Sequence, residues 1–242
     1  MLCLLLAALT AAPDVFIVSV DTLRADRLGC YGYPLPTTPR IDAFAQDALI
    51  YEDCIAEVPL TSPSFGAMLT SRYPRMNGAA RNGMPLPEGV PTITEQFKAA
   101  GYRTVCVTSN WTLKADLSGL DRGFDAYDDG FKTKRWGFMI AERYADDVTE
   151  SALKMVRDRD ASKPMFAWFH YSDPHAPYRY HDEYNPAGKP LWKLDEVAAT
   201  RARYDSEVAF TDAQIGKLLD ALPKENAIVL IVADHGESLH EH

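Results

Sequence analysis

Val15-Phe16-Ile17-Val18-Ser19-Val20 runs into Asp21-Thr22-Leu23-Arg24 near one end of the chain, and Ala227-Ile228-Val229-Leu230-Ile231-Val232-Ala233 runs into Asp234-His235-Gly236-Glu237 near the other. Short, β-branched apolar runs of this kind read as strands buried on both faces, as in a parallel sheet covered by helices. Open α/β sheets bind their ligands beyond the carboxyl ends of the strands. Two such strands side by side would bring Asp21, Asp234 and His235 to one edge, and carboxylates with an imidazole suit a divalent transition metal. Either aspartate alone reads more simply as a turn residue or helix N-cap. The Asp-His-Gly-Glu cluster turns the reading toward a metal.

Between these runs the pattern alternates. Arg40 to Ala48 carries Ile41, Phe44, Ala45 and Ala48 at helical spacing, and Leu49-Ile50-Tyr51 reads as a short strand. Ser62 before Pro63 gives a hydroxyl at an N-cap and a proline at the first helical position, so a helix is expected from Pro63 to about Ser71. Ile93 to Ala100 reads as a helix stopped by Gly101, and Tyr102 to Thr108 as the next strand. A long amphipathic helix over Ala141 to Arg159, a buried strand over Met165 to Tyr171 and a long helix over Arg201 to Leu222 complete the series. Strands alternating with helices imply an α/β fold, a three-layer α/β/α sandwich around a mostly parallel sheet.

A chain of 242 residues that is 47% hydrophobic can bury a substantial core as one domain, read here as residues 13–242. Against 34 acidic residues stand 25 dispersed basic ones, a net charge of −9, which argues against a general nucleic-acid binder. An anionic substrate would then need a local positive charge such as a metal. Cys3, Cys30, Cys54 and Cys106 show no paired spacing and read as buried free thiols. Met1 to Ala12 resembles the apolar core and cleavage region of a secretory signal without its basic n-region, and it is too short to span a bilayer, so export without stable membrane insertion is expected. The chain stops at His242 without the helix expected to cover its last strand, so the domain is read as incomplete at that end. Oligomeric state is not encoded in any pattern seen here.

Five segments, in order, resemble the N-terminal catalytic domain of the sulfatase family, within the alkaline phosphatase superfamily. They are Asp21 to Tyr33; Leu60-Thr61-Ser62-Pro63-Ser64 with Leu69 to Pro74; His170-Tyr171-Ser172-Asp173-Pro174-His175-Ala176-Pro177-Tyr178; Tyr204 to Ala209; and Asp234 to Glu237. The resemblance implies an alkaline-phosphatase-like fold and a metal-dependent hydrolase of sulfate esters carried by small molecules or glycans. It implies one divalent ion held by Asp21, Asp234 and His235. Calcium is the family default, while a ligand set with His235 suits manganese or zinc better. His175 is implied to contact the ester or protonate the leaving oxygen.

The chain departs from the family at two places. Sulfatases carry Cys or Ser two residues before the proline, converted to formylglycine, and Arg two residues after it; here those positions are Thr61 and Phe65. Relatives elsewhere in the superfamily use an unmodified Thr as nucleophile, so a phosphodiesterase or phosphotransferase is an alternative, and a non-catalytic metal-binding relative a further one. Thr61 is the candidate nucleophile at a helix start, where amides and dipole favour an anion, and with Ser62 it also reads as a cap. The family's Gly-Lys-Trp-His segment is replaced by Ser109-Asn110-Trp111-Thr112, leaving Asn110 as a candidate substrate contact. Arg24 is a second such candidate, or a surface partner of Asp26. His170 reads as a satisfied core residue, and Tyr204, Asp205 and Glu207 as a solvated helix face. His240 and His242 carry no assignment. The loops Lys132 to Phe138 and Tyr178 to Leu194, with Trp136, Tyr180 and Trp192, are expected to shape substrate choice.

Overall fold

The computed structural model describes residues 12–131 and 143–241. The readings placed on residues 1–11, on the loop Lys132 to Phe138 with Trp136, on Ala141 and on His242 lie outside the described residues. In chain order the main elements are β1 (Asp14–Val20), α1 (Pro39–Ala45), α2 (Thr61–Thr70), α3 (Pro74–Asn77), α4 (Ile93–Ala99), β2 (Arg103–Val107), α5 (Ala115–Ser118), β3 (Ala126–Asp128), α6 (Ala145–Arg157), β4 (Met165–Tyr171), α7 (Glu196–Ala221) and β5 (Ala227–Ala233). The strands form one sheet in the order β3-β2-β4-β1-β5, with every pairing parallel.

Strand periodicity separates two cores. Phe16, Val18 and Val20 of β1 point with Ala167, Phe169 and Tyr171 of β4 into a core shared with Val148 and Ala152 of α6 and Val208 and Ile215 of α7. The alternate residues, Ile17 of β1 and Trp168 of β4, point to the opposite face, where Phe65 and Leu69 of α2 pack with Cys106 and Leu113. From α4, Phe97 stacks on Phe166 of β4 with ring centroids 4.3 Å apart. The sheet is thus sandwiched between helical layers, as the alternation of strands and helices implies.

Several boundaries differ from the sequence reading for identifiable reasons. Thr61 itself is the first residue of α2, and Ser62 does not cap it. The Ser62 hydroxyl donates to Thr112 O at 2.7 Å, and its amide donates to Asn82 Oδ1 at 3.0 Å, so tertiary partners replace the local cap. Helix α4 begins with a capping box between Thr92 and Glu95 and is followed by Gly101 at φ +90°. Helix α7 starts at Glu196 rather than Arg201 because Asp195 accepts from the Ala198 amide at 2.8 Å. Leu49-Ile50-Tyr51 is not a strand: it joins no sheet among the described residues and leaves Leu49 87% exposed.

Two-sided burial holds for β4, all seven residues of which are buried, but fails for β5. This outermost strand leaves Ile228 55% and Leu230 43% exposed. Among the described residues, no helix is long and apolar enough to cross a membrane. Cys30, Cys54 and Cys106 are free thiols, but the burial expected of them holds for Cys106 alone: Cys30 is half-buried, and Cys54 is exposed on an irregular segment.

Candidate metal centre

The parallel register does the first part of the site building. Val20 of β1 lies opposite Tyr171 of β4 on one side and Ala233 of β5 on the other. The residues that follow these three, Asp21, Ser172 and Asp234, therefore leave the sheet at one level. The Asp21 amide donates to Tyr171 O at 2.8 Å, which extends the ladder by one more bond. From the α2 layer, Ser64 Oγ donates to Asp234 O at 2.8 Å and ties the helix to the end of β5.

Three polar atoms converge there without hydrogen-bond partners. Asp21 Oδ1, Asp234 Oδ2 and His235 Nε2 are each buried and unsatisfied. His235 Nε2 lies 3.7 Å from Asp21 Oδ1 and 3.4 Å from Asp234 Oδ2, and one ligand atom from each of the three residues falls within 4.8 Å of the others. Buried polar atoms ordinarily find partners, so several orphans facing one point call for an explanation such as an ion. The separations are those of donors around a single cation with bonds of ~2–2.6 Å. The other atoms of these residues are fixed. Asp234 Oδ1 accepts from the amides of Thr22 at 3.1 Å and His235 at 2.9 Å, and His235 Nδ1 bonds Gly236 O at 2.9 Å. This last bond aims Nε2 at the carboxylates, the usual arrangement of a ligating imidazole.

Electrostatics agree with the geometry. Burial, and then the negative charge of Asp21, pushes the Asp234 carboxyl well above the usual carboxylate range. Two buried carboxylates sharing a site disfavour each other's charge, and a divalent cation between them would remove that conflict.

Around the three donors stand the other residues singled out by sequence. Asn110 is buried; its Nδ2 donates to Asp21 Oδ2 at 2.6 Å, and its Oδ1 accepts from Thr112 N and Oγ1, both at 2.9 Å. Thr61 is buried, and its hydroxyl donates to the same Asp21 Oδ2 at 3.5 Å. His175 lies half-buried in the loop after β4, with Nδ1 2.6 Å from Ala176 O. The next amide, Ala176 N, donates to Glu237 Oε2 at 3.2 Å, so this loop is joined to the segment after His235. Arg24 pairs with Asp26, the second of its two readings. Its Nε and Nη2 donate to Asp26 at 2.9 and 2.8 Å, and Nη1 to Glu237 O and Glu241 Oε1 at 2.9 and 3.0 Å. His240 Nε2 lies 3.4 Å from Thr200 Oγ1. Tyr180 is half-buried, and Trp192 is 79% exposed.

Two sequence readings are corrected here. His170 is a core residue, yet only half satisfied: Nδ1 lies 3.1 Å from Ser19 Oγ, which also accepts from Trp168 Nε1 at 2.8 Å, while Nε2 is an orphan 3.8 Å from Asp21 Oδ2. Burial, opposed by the Asp21 charge and assisted by His175 and His235, lowers its pKa to about 4, so the imidazole is neutral near pH 7. Phe65 stands edge-on to this ring, centroids 5.0 Å apart, and closes the floor of the site with carbon. Tyr204, Asp205 and Glu207 form no solvated face, since all three are buried. Asp205 accepts from Tyr33 and Arg27. Glu207 accepts from the Arg179 amide and lies 2.9 Å from His181 Nε2, which anchors the stretch following His175. Asp173, His181 and Glu207 make a second buried grouping with ligand atoms within 4.8 Å of one another. Helical periodicity carries no sign of these burials, because each depends on a partner remote in sequence.

Comparison with known proteins bears on the whole chain. The family model described as Sulfatase matches residues 13–242. An ulvan-active sulfatase of Formosa agariphila is 28% identical over 263 residues, covering 94% of this chain and 51% of its own length. An N-acetylglucosamine-6-O-sulfatase of Bacteroides thetaiotaomicron is 28% identical over 179 residues, covering 69% and 31%. The chain thus spans about half the length, or less, of these curated relatives. Among solved structures, a 4S-sulfatase from the Bacteroides thetaiotaomicron glycosaminoglycan locus superposes with TM-score 0.77 at 21% identity, covering 94% of this chain and 62% of that one. The C-terminal periplasmic domain of Escherichia coli EcEptC, solved in complex with Zn, does so with TM-score 0.74 at 20% identity, covering 96% and 66%. The shared fold is the alkaline-phosphatase-like one.

Proposed function

Because this chain belongs to the sulfatase family, we propose that it is part of a metal-dependent hydrolase of sulfate esters, with one divalent ion held by Asp21, Asp234 and His235. The observation that carries the reading is the convergence of three buried, unsatisfied donor atoms at the ends of β1 and β5. When bound, such an ion supplies a fixed positive charge that polarises ester oxygens and favours a deprotonated nucleophile. The two-carboxylate, one-imidazole set favours manganese or zinc over calcium, whose usual shell is all oxygen.

The chain's own residues divide the remaining work. Thr61 is the nucleophile: its hydroxyl is held beside Asp21, and it opens α2, where the helix dipole favours an anionic group. The family's formylglycine does not fit here. Oxidising the secondary alcohol of threonine gives a ketone rather than an aldehyde, so attack falls to the hydroxyl itself. Asn110 fixes one oxygen of Asp21 and has a second amide hydrogen to offer an ester oxygen. His175, whose Nδ1–H donates to Ala176 O, acts from Nε2: as the imidazolium, with a proton on both ring nitrogens, it gives the Nε2 proton to the leaving oxygen and is left as the neutral ring. Phe65, where the family carries arginine, leaves the ion as the principal positive charge facing the ester.

Sulfated sugars are the substrate class, in keeping with the two curated relatives and with a structural neighbour, at 17% identity, solved with D-glucosamine-2-N,6-O-disulfate. An unmodified threonine at position 61 is the one observation that favours phosphoesters as a second class. We further propose export, supported by the signal-like composition of Met1 to Ala12. The test is product release from N-acetylglucosamine-6-sulfate and from bis(p-nitrophenyl) phosphate, each with Mn²⁺, for the wild type and Asp234→Ala. Sulfate release that Asp234→Ala abolishes supports the proposal. Phosphodiester cleavage alone selects the second class, and no turnover of either with full metal binding leaves a binding protein.

A further inference from the structure

The loops that carry the metal donors are braced by two side chains whose bonds all go to protein partners. Tyr204, at the middle of α7, is fully buried. Its hydroxyl donates to Thr22 O at 2.8 Å and accepts from the Arg24 amide at 2.9 Å, gripping both ends of the turn that follows Asp21. Within that turn Thr22 has φ +59°, a left-handed conformation that β-branched residues avoid. In this conformation the Thr22 amide faces Asp234 Oδ1, to which it donates at 3.1 Å. Arg24 carries the brace to the other loop, donating from Nη1 to Glu237 O at 2.9 Å, while Asp26 holds the rest of its guanidinium.

We infer that Tyr204 and Arg24 are positioning residues for the metal centre: together they hold the strained turn at Thr22 and thereby set the spacing between Asp21 and Asp234. The inference rests on the metal site proposed above. The Thr22 amide lies in the peptide unit that joins it to Asp21, while its carbonyl and the Arg24 amide are held by Tyr204, so slippage of the turn on release of that grip would shift the amide relative to Asp234 and carry the Asp21 backbone with it. A hydroxyl touching only backbone at the rim of a site can then govern affinity within it, as groups outside a coordination shell commonly do.

The test is the dissociation constant for Mn²⁺ by titration calorimetry, with the thermal midpoint of the metal-free protein measured alongside. Tyr204→Phe removes the hydroxyl and keeps the ring. Mn²⁺ binding about 10- to 100-fold weaker than wild type is expected, the range typical of lost outer-shell support. Arg24→Gln should weaken binding in the same direction, and the double variant should lose less than the product of the two, since both act on one turn. Wild-type affinity in Tyr204→Phe overturns the inference, whatever happens to its thermal midpoint, because a purely structural role would move only the midpoint. If Tyr204→Phe does not fold, Arg24→Gln decides by the same criterion, its guanidinium lying at the rim. Asp234→Ala separates the two claims: if it leaves Mn²⁺ affinity unchanged, or the wild type binds none, the metal site fails and this inference with it. If Asp234→Ala abolishes binding while Tyr204→Phe and Arg24→Gln bind normally, only the brace fails.

Discussion

The amide of Thr22 donates to Asp234 Oδ1 at 3.1 Å, across a separation of 212 residues in sequence, and this bond joins the loop after β1 to the loop after β5. It satisfies one oxygen of Asp234 and leaves the other, with Asp21 Oδ1 and His235 Nε2, buried without a partner. An apoprotein built this way carries an electrostatic cost at its centre, and measurable consequences follow from it.

Asp234→Asn removes one of the two like charges. In EDTA this variant should be more stable than the wild type by ~1–3 kcal/mol, since a buried carboxylate no longer faces another. Added Mn²⁺ should raise the wild-type unfolding midpoint, with about 2.7 kcal/mol expected at 100 times Kd, and do little for the variant. Urea unfolding with and without metal checks both. An equal metal-induced gain in the two proteins would place the ion elsewhere.

Thr61→Ala should lower turnover by about 10³-fold or more, as loss of a nucleophile does, while changing Mn²⁺ affinity little. Thr61→Ser keeps the hydroxyl and should stay within roughly tenfold of the wild type. Initial rates of sulfate release at saturating Mn²⁺ provide the comparison. Full activity in Thr61→Ala would remove this residue from the mechanism.

His170 supplies a pH dependence. Its folded pKa, lowered to about 4 by burial, lies below that of a free histidine near 6.5. Between these values the unfolded chain binds a proton that the native state refuses. This contribution to stability is therefore complete above about pH 6.5 and is lost as the pH falls toward 4, to a total of roughly 3 kcal/mol. In metal-free buffer, the fall in stability from pH 7 to pH 4.5 should be shallower for His170→Asn than for the wild type. Parallel slopes would show that His170 is not buried as a neutral ring.

Phe65→Ala should cost ~3–5 kcal/mol, the range for emptying a packed aromatic site. Phe65 packs against Trp168 and His170, with centroids 4.8 and 5.0 Å away, so the floor of the metal centre would loosen with it. A loss below about 1 kcal/mol in chemical denaturation would show that this wall does not support the site.

The sheet and the meeting of Asp21, Asp234 and His235 at its edge were legible because apolar runs announce strands, and an acidic residue after each run marks its exit. Parallel register then does the rest, since Val20 lies opposite both Tyr171 and Ala233. Helix α7 was legible as a helix but not as a source of polar anchors. Tyr204, Asp205 and Glu207 look like a solvated face because their partners, Thr22, Tyr33 and His181, are far away in sequence. Position 170 showed a histidine in a buried strand, but not that Ser19 satisfies one nitrogen and leaves the other facing Asp21. Arg24 read as either a substrate contact or a surface partner of Asp26, and its reach to Glu237 depends on how the two loops fold together. Leu49-Ile50-Tyr51 had strand composition without a neighbouring strand, and β3, three residues long, was too short to read.

One divalent ion is proposed to sit between the ends of β1 and β5. Crystals of the wild-type protein grown with Mn²⁺ and measured at the manganese absorption edge test it directly. An anomalous peak within ~2–2.6 Å of Asp21 Oδ1, Asp234 Oδ2 and His235 Nε2 is the expected result. A fully occupied peak at Asp173, His181 and Glu207 instead, or no peak in protein saturated with Mn²⁺, would contradict it.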